Sequence, residues 1–263
     1  MESKIIRITA NQVTPALRSM FHLNRPTGIR ALAVLEGGTQ GRILTDNPHH
    51  PTWGLVWEAD DGILYRVGNY DRQVLSEAVS MLRQDGLVAL GFREADPSVE
   101  LFPPEPSAGA ECLEFDRSIG SSDLSPFLDE LPARFTLHRM DRALLERSPR
   151  VDDHIHRYLS IENFLTRGIV VCILHGNETV CEAHADMEIL GRRELGITTQ
   201  KAYRRQGFAT IACAHLIRLC EEAGSQTYWD CARLNIGSVM LVHKLGFQNE
   251  RAYKLLAWFK PEE

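Results

Sequence analysis

Glu194-Leu195-Gly196-Ile197-Thr198-Thr199, then Arg204-Arg205-Gln206-Gly207-Phe208-Ala209, then Thr210-Ile211-Ala212-Cys213-Ala214-His215-Leu216-Ile217-Arg218-Leu219-Cys220: this succession decides the fold. The first block reads as a strand and the last as an apolar-periodic helix. Between them lies a turn of small and basic residues. A helix that begins there presents unpaired backbone N–H groups and a partial positive charge. Such an end binds phosphate. Gly207 and Ala209 keep side chains out of the way of an anion, and Arg204 and Arg205 add charge beside it. From these residues alone, a surface loop with two arginines and a glycine reads equally well.

A second block follows downstream. Trp229-Asp230-Cys231-Ala232 reads as a strand, and Asn235-Ile236-Gly237-Ser238-Val239-Met240-Leu241-Val242-His243-Lys244-Leu245-Gly246-Phe247 as a helix running into a glycine stop. The Arg-x-x-Gly-x-Ala turn between strand and helix resembles the acyl-CoA pyrophosphate loop of the GNAT superfamily of N-acetyltransferases. The Asn-x-x-Ser-x-x-Leu-x-x-Lys-Leu-Gly-Phe cadence resembles that superfamily's final helix. Glu194 to Thr199, Tyr203 to Thr210 and Tyr228-Trp229-Asp230 resemble phrases of a subgroup that includes zwittermicin A resistance proteins. The likeness covers residues 132–263; the amino-terminal half resembles the subgroup's extra domain only loosely. The resemblance implies an α/β (α+β) chain: a GNAT domain over 132–263, whose splayed mixed sheet is flanked by helices, after a smaller α/β domain over 1–120. That first domain, strand-strand-helix-strand in order, is a candidate degenerate copy of the second.

Composition narrows the functional classes. The 263 residues carry a formal charge of −6 with no Lys/Arg block, which argues against nucleic acid as a partner. The six cysteines form no CxxC and sit in apolar patterns, so buried free thiols in a reducing, cytoplasmic compartment are expected. Neither a signal-peptide core nor a run of membrane-spanning length is present, so no membrane partner is expected.

In the first half, the pattern predicts strands at 29–35, 53–58, 63–67 and 87–92, with a hairpin turn at 60–62 and a helix over 71–84. The proline-rich stretch from Pro97 to Gly109 reads as irregular chain, 112–115 as a strand and 121–131 as a short helix. In the second half, the expected elements are a strand at 135–140, a helix capped by Asp141, a charged loop at 152–156, and a helix at 160–167 stopping at Gly168. A hairpin of strands 169–174 and 179–189, the strand 194–199, helix 207–223, strand 226–231, helix 236–245 and a final strand pair over 247–259 complete the order.

By resemblance, the amides of Gln206, Gly207, Phe208 and Ala209 wrap a pyrophosphate, with Thr210 beside them and Arg204 and Arg205 reaching phosphate oxygens. Ile197 and Thr199 pair with the pantetheine arm, and Asn235 and Ser238 lie near the thiol end. Asn235 reads equally as a helix cap. Glu194 is the first candidate for general base; the alternative is a charge at a strand end beside Arg192 and Arg193. The subgroup's second acidic position is Gly196 here. The position of the superfamily's thiolate-protonating tyrosine is Val242, which leaves Ser238 or His243 as substitutes. Period-two spacing puts His184, Asp186 and Glu188 on one strand face, either an amine-binding face or a solvated one. Asp230 is a candidate partner for an acceptor amine and Trp229 reads as core. Asp152-Asp153-His154-Ile155-His156 lacks a metal-ligand spacing, and no metal is expected.

The expected function is acetyl transfer from acetyl-CoA to a primary amine of a small molecule, such as an antibiotic or amino-bearing metabolite, by a monomer or homodimer. Transfer to a peptide or protein amine, or a CoA-binding regulatory module without turnover, are the rivals.

Overall fold

A computed structural model describes residues 5–94, 96–103, 106–128, 131–186 and 188–260. The chain divides into two compact units, residues 1–112 with 252–263, and residues 113–251.

The first unit contains β1 (Ile6–Ile8), α1 (Pro15–Arg18), α2 (Gly28–Leu35), β2 (Gly41–Thr45), β3 (Trp53–Glu58), β4 (Leu64–Gly68), α3 (Arg72–Asp85) and β5 (Val88–Phe92). Strands β1 to β4 pair antiparallel in sequence order. A parallel bridge joins Ile63 to Ala89. Helix α3 is amphipathic as its spacing predicts: Val74, Leu75, Ala78, Val79 and Leu82 are buried against Trp53, Leu55, Trp57 and Leu90. Asp71 caps it, accepting from the Val74 N–H at 2.9 Å.

One element of this unit corrects the sequence reading. Residues 29–35, expected as a strand, form α2, in which Ile29 and Ala31 to Leu35 are all buried. A short run whose one polar residue is Arg30 carries too little periodicity to separate helix from strand. Strands β1 and β2 were not anticipated. The proline-rich stretch is partly regular, with a 3-10 turn at Pro97–Leu101; Pro104 lies outside the described residues.

Strand β6 (Ala108–Arg117) carries the chain into the second unit and is longer than the expected 112–115. The expected helix at 121–131 is a single 3-10 turn, Ser125–Phe127, among the described residues. There follow β7 (Phe135–Arg139), α4 (Arg142–Arg147), α5 (Val151–Tyr158), α6 (Ile161–Arg167), β8 (Ile169–His175), β9 (Glu178–Ala185), β10 (Arg192–Thr199), α7 (Phe208–Glu222), β11 (Gln226–Ala232) and α8 (Ile236–Lys244). Strand β12 (Gln248–Trp258) is one strand rather than a pair, and its residues 254–258 return to the first unit to pair with β5. Residues 152–156, expected as a loop, are helical within α5. Asp141 caps α4 as expected, and Ser160, read as the first helical residue, instead caps α6.

The strand order in this unit is β6-β11-β10-β9-β8-β7. Alternation sorts its two faces. Val171, Ile173, Ala183, Ala185, Leu195 and Trp229 pack with Phe208, Ala212, Leu216 and Cys220 of α7 in the main core. On the opposite face, Val170, Cys172 and Leu174 of β8 pack with Leu145, Tyr158 and Phe164 from the layer of α4, α5 and α6. Arg117 closes the far end. Its buried guanidinium donates to Leu245 O at 3.1 Å and Ser122 O at 3.0 Å and pairs with Glu221.

Candidate functional site

The decisive geometry is where β10 and β11 part. Their parallel ladder holds only Arg192–Gln226, Arg193–Thr227 and Glu194–Tyr228. Past it, β10 continues to Thr199 and β11 to Ala232 with no further pair between them, while β10 stays in register with β9 through Thr199–Cys181. One flank of β10, including Ile197 and Thr199, is thus open to an added chain along four residues or more of strand.

The same strand leads to the start of α7. Gly207 is the residue before the helix, with φ +88° and no side-chain cap. The first helical hydrogen bond is Ile211 N–H to Gly207 O at 3.1 Å. The N–H groups of Phe208, Ala209 and Thr210 therefore have no partner within the helix. A Cβ built at Gly207 would meet nothing within 4 Å, so the residue that opens the helix is not crowded. Arg205 just before it has φ +60°. Arg204 donates to Thr199 O at 3.0 Å and Gln206 to Ala202 O at 3.2 Å, which ties the turn to β10. Phe208 points the other way, buried against Phe135. Thr210 is buried too.

At the start of α8, the Asn235 side chain accepts from the Ser238 N–H at 3.2 Å, which makes it the helix cap. The Ser238 hydroxyl accepts from the Trp229 indole N–H at 3.0 Å. Trp229 is core, as expected, and Val242 is fully buried in the same cluster.

The remaining candidates fall on the face opposite α7, because Leu195 and Trp229 face the core. Glu194, Gly196 and Thr198 share that face with Tyr228, Asp230, Glu182 and His184. Glu194 is only 3% exposed. Its cross-ladder neighbour Tyr228 donates to Glu114 at 2.7 Å. Burial, followed by the negative charges of Asp230, Glu114 and Glu194, holds the Tyr228 hydroxyl well above the usual phenol range. Arg251 grips Glu114 at 2.9 Å and also Asp116, which pairs with Arg192; the Arg192 guanidinium lies 5.6 Å from the Tyr228 ring centre.

The expected row His184, Asp186, Glu188 is not one face. Strand β9 ends at Ala185, so only His184 projects from it. Asp186 instead pairs with Arg157 of α5 at 3.1 Å, and Glu188 accepts from the Gly191 N–H at 2.7 Å. Met187 lies outside the described residues.

Several polar groups on this face gave no sequence signal. Arg150 donates to Thr198 Oγ1. Ser148 Oγ donates to Glu182 at 2.6 Å, and His154 Nε2 lies 3.2 Å from the other Glu182 oxygen. Burial works against the Glu182 charge, but hydrogen bonds from His154 and Ser148 prevail and hold its carboxyl below the usual range. The cysteines are free thiols, five of the six buried, and burial pushes Cys181 up to about 11. Among the described residues no three His, Cys, Asp or Glu side chains gather as metal ligands, and no helix is long and apolar enough to cross a membrane.

Comparison with known proteins agrees with this geometry. The GNAT acetyltransferase family profile matches residues 23–256. An uncharacterized N-acetyltransferase of Bacillus subtilis (strain 168), YdfB, is 30% identical over 128 residues, 48% of this chain and 49% of that protein, so the match spans about half the length of each. Among solved structures, a GCN5-related N-acetyltransferase-like protein from Streptococcus suis 89/1591 aligns over 95% of this chain and 100% of its own, with a TM-score of 0.71 at 24% identity. A tandem GNAT protein from the clavulanic acid biosynthesis pathway aligns over 99% of both chains, with a TM-score of 0.66 at 9% identity. With its profile match running through both units, the chain belongs to the GNAT acetyltransferase family.

Proposed function

We propose that this protein binds acetyl-CoA in its second unit and transfers the acetyl group to a primary amine of a small molecule. The observation that carries the reading is the uncapped start of α7, lying at the end of the strand whose flank is open. A diphosphate fits such a helix start: unpaired N–H donors, positive dipole end and an uncrowded Gly207. Gln206, Gly207, Phe208 and Ala209 would hold it through the main chain, with Thr210 beside them and Arg204 and Arg205 supplying charge. The pantetheine arm, an extended amide chain, would run along the open flank of β10 at Ile197 and Thr199. Asn235 and Ser238 would border its thiol end. Ser238, which accepts from Trp229 and also hydrogen-bonds Cys231, would turn its hydroxyl hydrogen to a departing thiolate in exchange for the Cys231 contact.

Glu194 is the proposed base for the acceptor ammonium, with Asp230 on the same face as a binding carboxylate. A buried anionic face suits a cationic amine. The likeness to zwittermicin A resistance proteins supports an antibiotic or amino-bearing metabolite as acceptor, in the cytoplasm. The first unit, residues 1–112 with 252–263, is proposed as a degenerate copy of the second. It repeats the meander, helix and parallel strand, but its helix starts on an aspartate.

Titration calorimetry with coenzyme A, followed by thiol release from acetyl-CoA against a panel of primary amines, tests the reading. Binding below millimolar concentration with amine-dependent thiol release supports it. Indifference to coenzyme A removes it.

A further inference from the structure

Gly196 sits in the middle of the open strand, between Glu194 and Thr198 on the polar face. A side-chain carbon built on it would lie 2.3 Å from His184 Nε2 and 2.4 Å from the adjacent ring carbon. The imidazole of His184, reaching across from β9 at the register position opposite Gly196, occupies the volume that a side chain of residue 196 would fill. It stands next to Glu194 on the face assigned to the acceptor.

Behind it lies a buried polar row. His154 of α5 is 0% exposed, and its ring is edge-on to the His184 ring with centres 6.1 Å apart. Glu182, two residues before His184 on β9, is 3% exposed and accepts from Ser148 at 2.6 Å. Because Glu182 is held ionised, His154 Nε2, 3.2 Å away, is the donor in that contact. His154 Nδ1 then carries the lone pair when the ring is neutral, and it is buried without a protein hydrogen bond. A charged carboxylate, a histidine fixed by it and a second histidine on the far side make a costly arrangement in a core otherwise built of Phe164, Tyr158 and Cys172. Such groups cluster where protonation has a task.

The geometry points to His184 as a second proton acceptor for the acceptor amine, standing in the place left by Gly196, with His154 and Glu182 as the positioning pair behind it. This rests on the transferase reading and deepens it. The ammonium R–NH3+ gives one proton to His184, which returns it to solvent. The neutral nitrogen attacks the thioester carbonyl, forming C–N. The tetrahedral adduct expels the thiolate, breaking C–S, and the second nitrogen proton goes to the departing sulfur. An imidazole titrates close to neutrality and suits this step better than a lone carboxylate of ordinary acidity. Of the titratable groups around His184, His154 packs edge-on against its ring, Glu182 lies two residues before it on β9 and Glu194 two residues before its register partner Gly196. Arg150 acts on Glu182, and Asp186, two residues after His184, pairs with Arg157. Across the ladder on β8 it meets Val170, which is apolar.

Two measurements test this. Imidazole titrations are read by NMR on 15N-histidine-labelled protein without substrate, in the wild type and in Glu182→Gln. Removing the carboxylate takes away support for the imidazolium, so the His184 midpoint moves to lower pH by about half a unit or more. Steady-state rates are then measured against pH for His184→Gln and Gly196→Ala. Both lose about 100-fold in kcat, and His184→Gln loses the neutral inflection, while coenzyme A affinity by calorimetry stays unchanged. His184→Gln with wild-type kcat and pH profile would overturn the proposal. A His184 midpoint indifferent to Glu182→Gln would remove the positioning pair. If coenzyme A binds but no amine releases thiol, the transferase reading falls and the base role with it. The NMR result still decides the pair, so the two failures are told apart.

Discussion

Each unit runs an antiparallel meander into a helix and then into a strand parallel to the meander's last member, and the two helices begin in opposite ways. In the first unit, β4 leads to α3, whose first turn is closed by the Asp71 carboxylate on the Val74 N–H. In the second, β10 leads to α7, whose first turn is closed by nothing from the chain. A capping aspartate satisfies a donor and places a negative charge where an anion would sit. Gly207 does neither. Under the proposed function, the same fold segment would be made stable in one unit and receptive in the other by the choice of one residue. A helix end that forgoes its cap leaves its donors available to an anion at some cost in local stability.

Exchange of that choice is the harshest test. Gly207→Asp gives α7 the acidic start that α3 has, and aspartate tolerates positive φ better than most residues. We expect coenzyme A affinity to fall about 100-fold in calorimetry with the far-UV spectrum unchanged. Retained affinity would erase the contrast.

Two buried carboxylates make a second contrast, Glu58 on β3 and Glu182 on β9. Burial pushes Glu58 up to about 7, against the pull of Arg30 and of the Asp61 and Asp60 amides. Glu182 is held low by His154 and Ser148 despite its burial. The signs follow by linkage. The Glu58 contribution is fully present below its unfolded value near 4.5 and is lost as pH rises through about 7. The Glu182 contribution is present above its unfolded value and is lost as pH falls through its lower folded one. Melting curves from pH 2 to 8 should therefore flatten between about 4.5 and 7 in Glu58→Gln and below about 4.5 in Glu182→Gln, with shifts of about 5 °C.

Smaller effects sharpen the picture. Arg204→Ala and Arg205→Ala are each expected to weaken coenzyme A binding several-fold, more at low salt than at high, since both side chains are exposed. Asp71→Ala should cost about 1 kcal/mol in urea unfolding and leave coenzyme A affinity untouched.

The sequence disclosed most where chemistry is local. The turn before α7, the cap at Asp141 and the stop at Gly168 all follow from nearest neighbours in the chain. It failed where burial by distant residues decides. The run 29–35 has only Arg30 as a polar residue, too little to give its period, so its helix was invisible. Residues 152–156 carry enough charge to read as a loop, yet His154 turns inward because Glu182, 28 positions on, waits there as partner. Glu188 fell off its expected face because β9 ends three residues earlier, where Asp186 leaves the strand for Arg157. Gly196 looked like a missing acid; only the register with β9 reveals the ring that fills its place.

Strand β12 has a consequence for synthesis. Residues 254–258 supply the neighbour that β5 needs, at 88–92, and Trp258 stacks on Phe102 in the first unit's core. A ribosome delivers that partner only after the whole second unit has emerged. The early part of the chain must therefore wait with an unfinished edge, exposed to self-association, until residues 254–258 have been made. A chain cut before residue 254 would thus be damaged in its first unit rather than in its second.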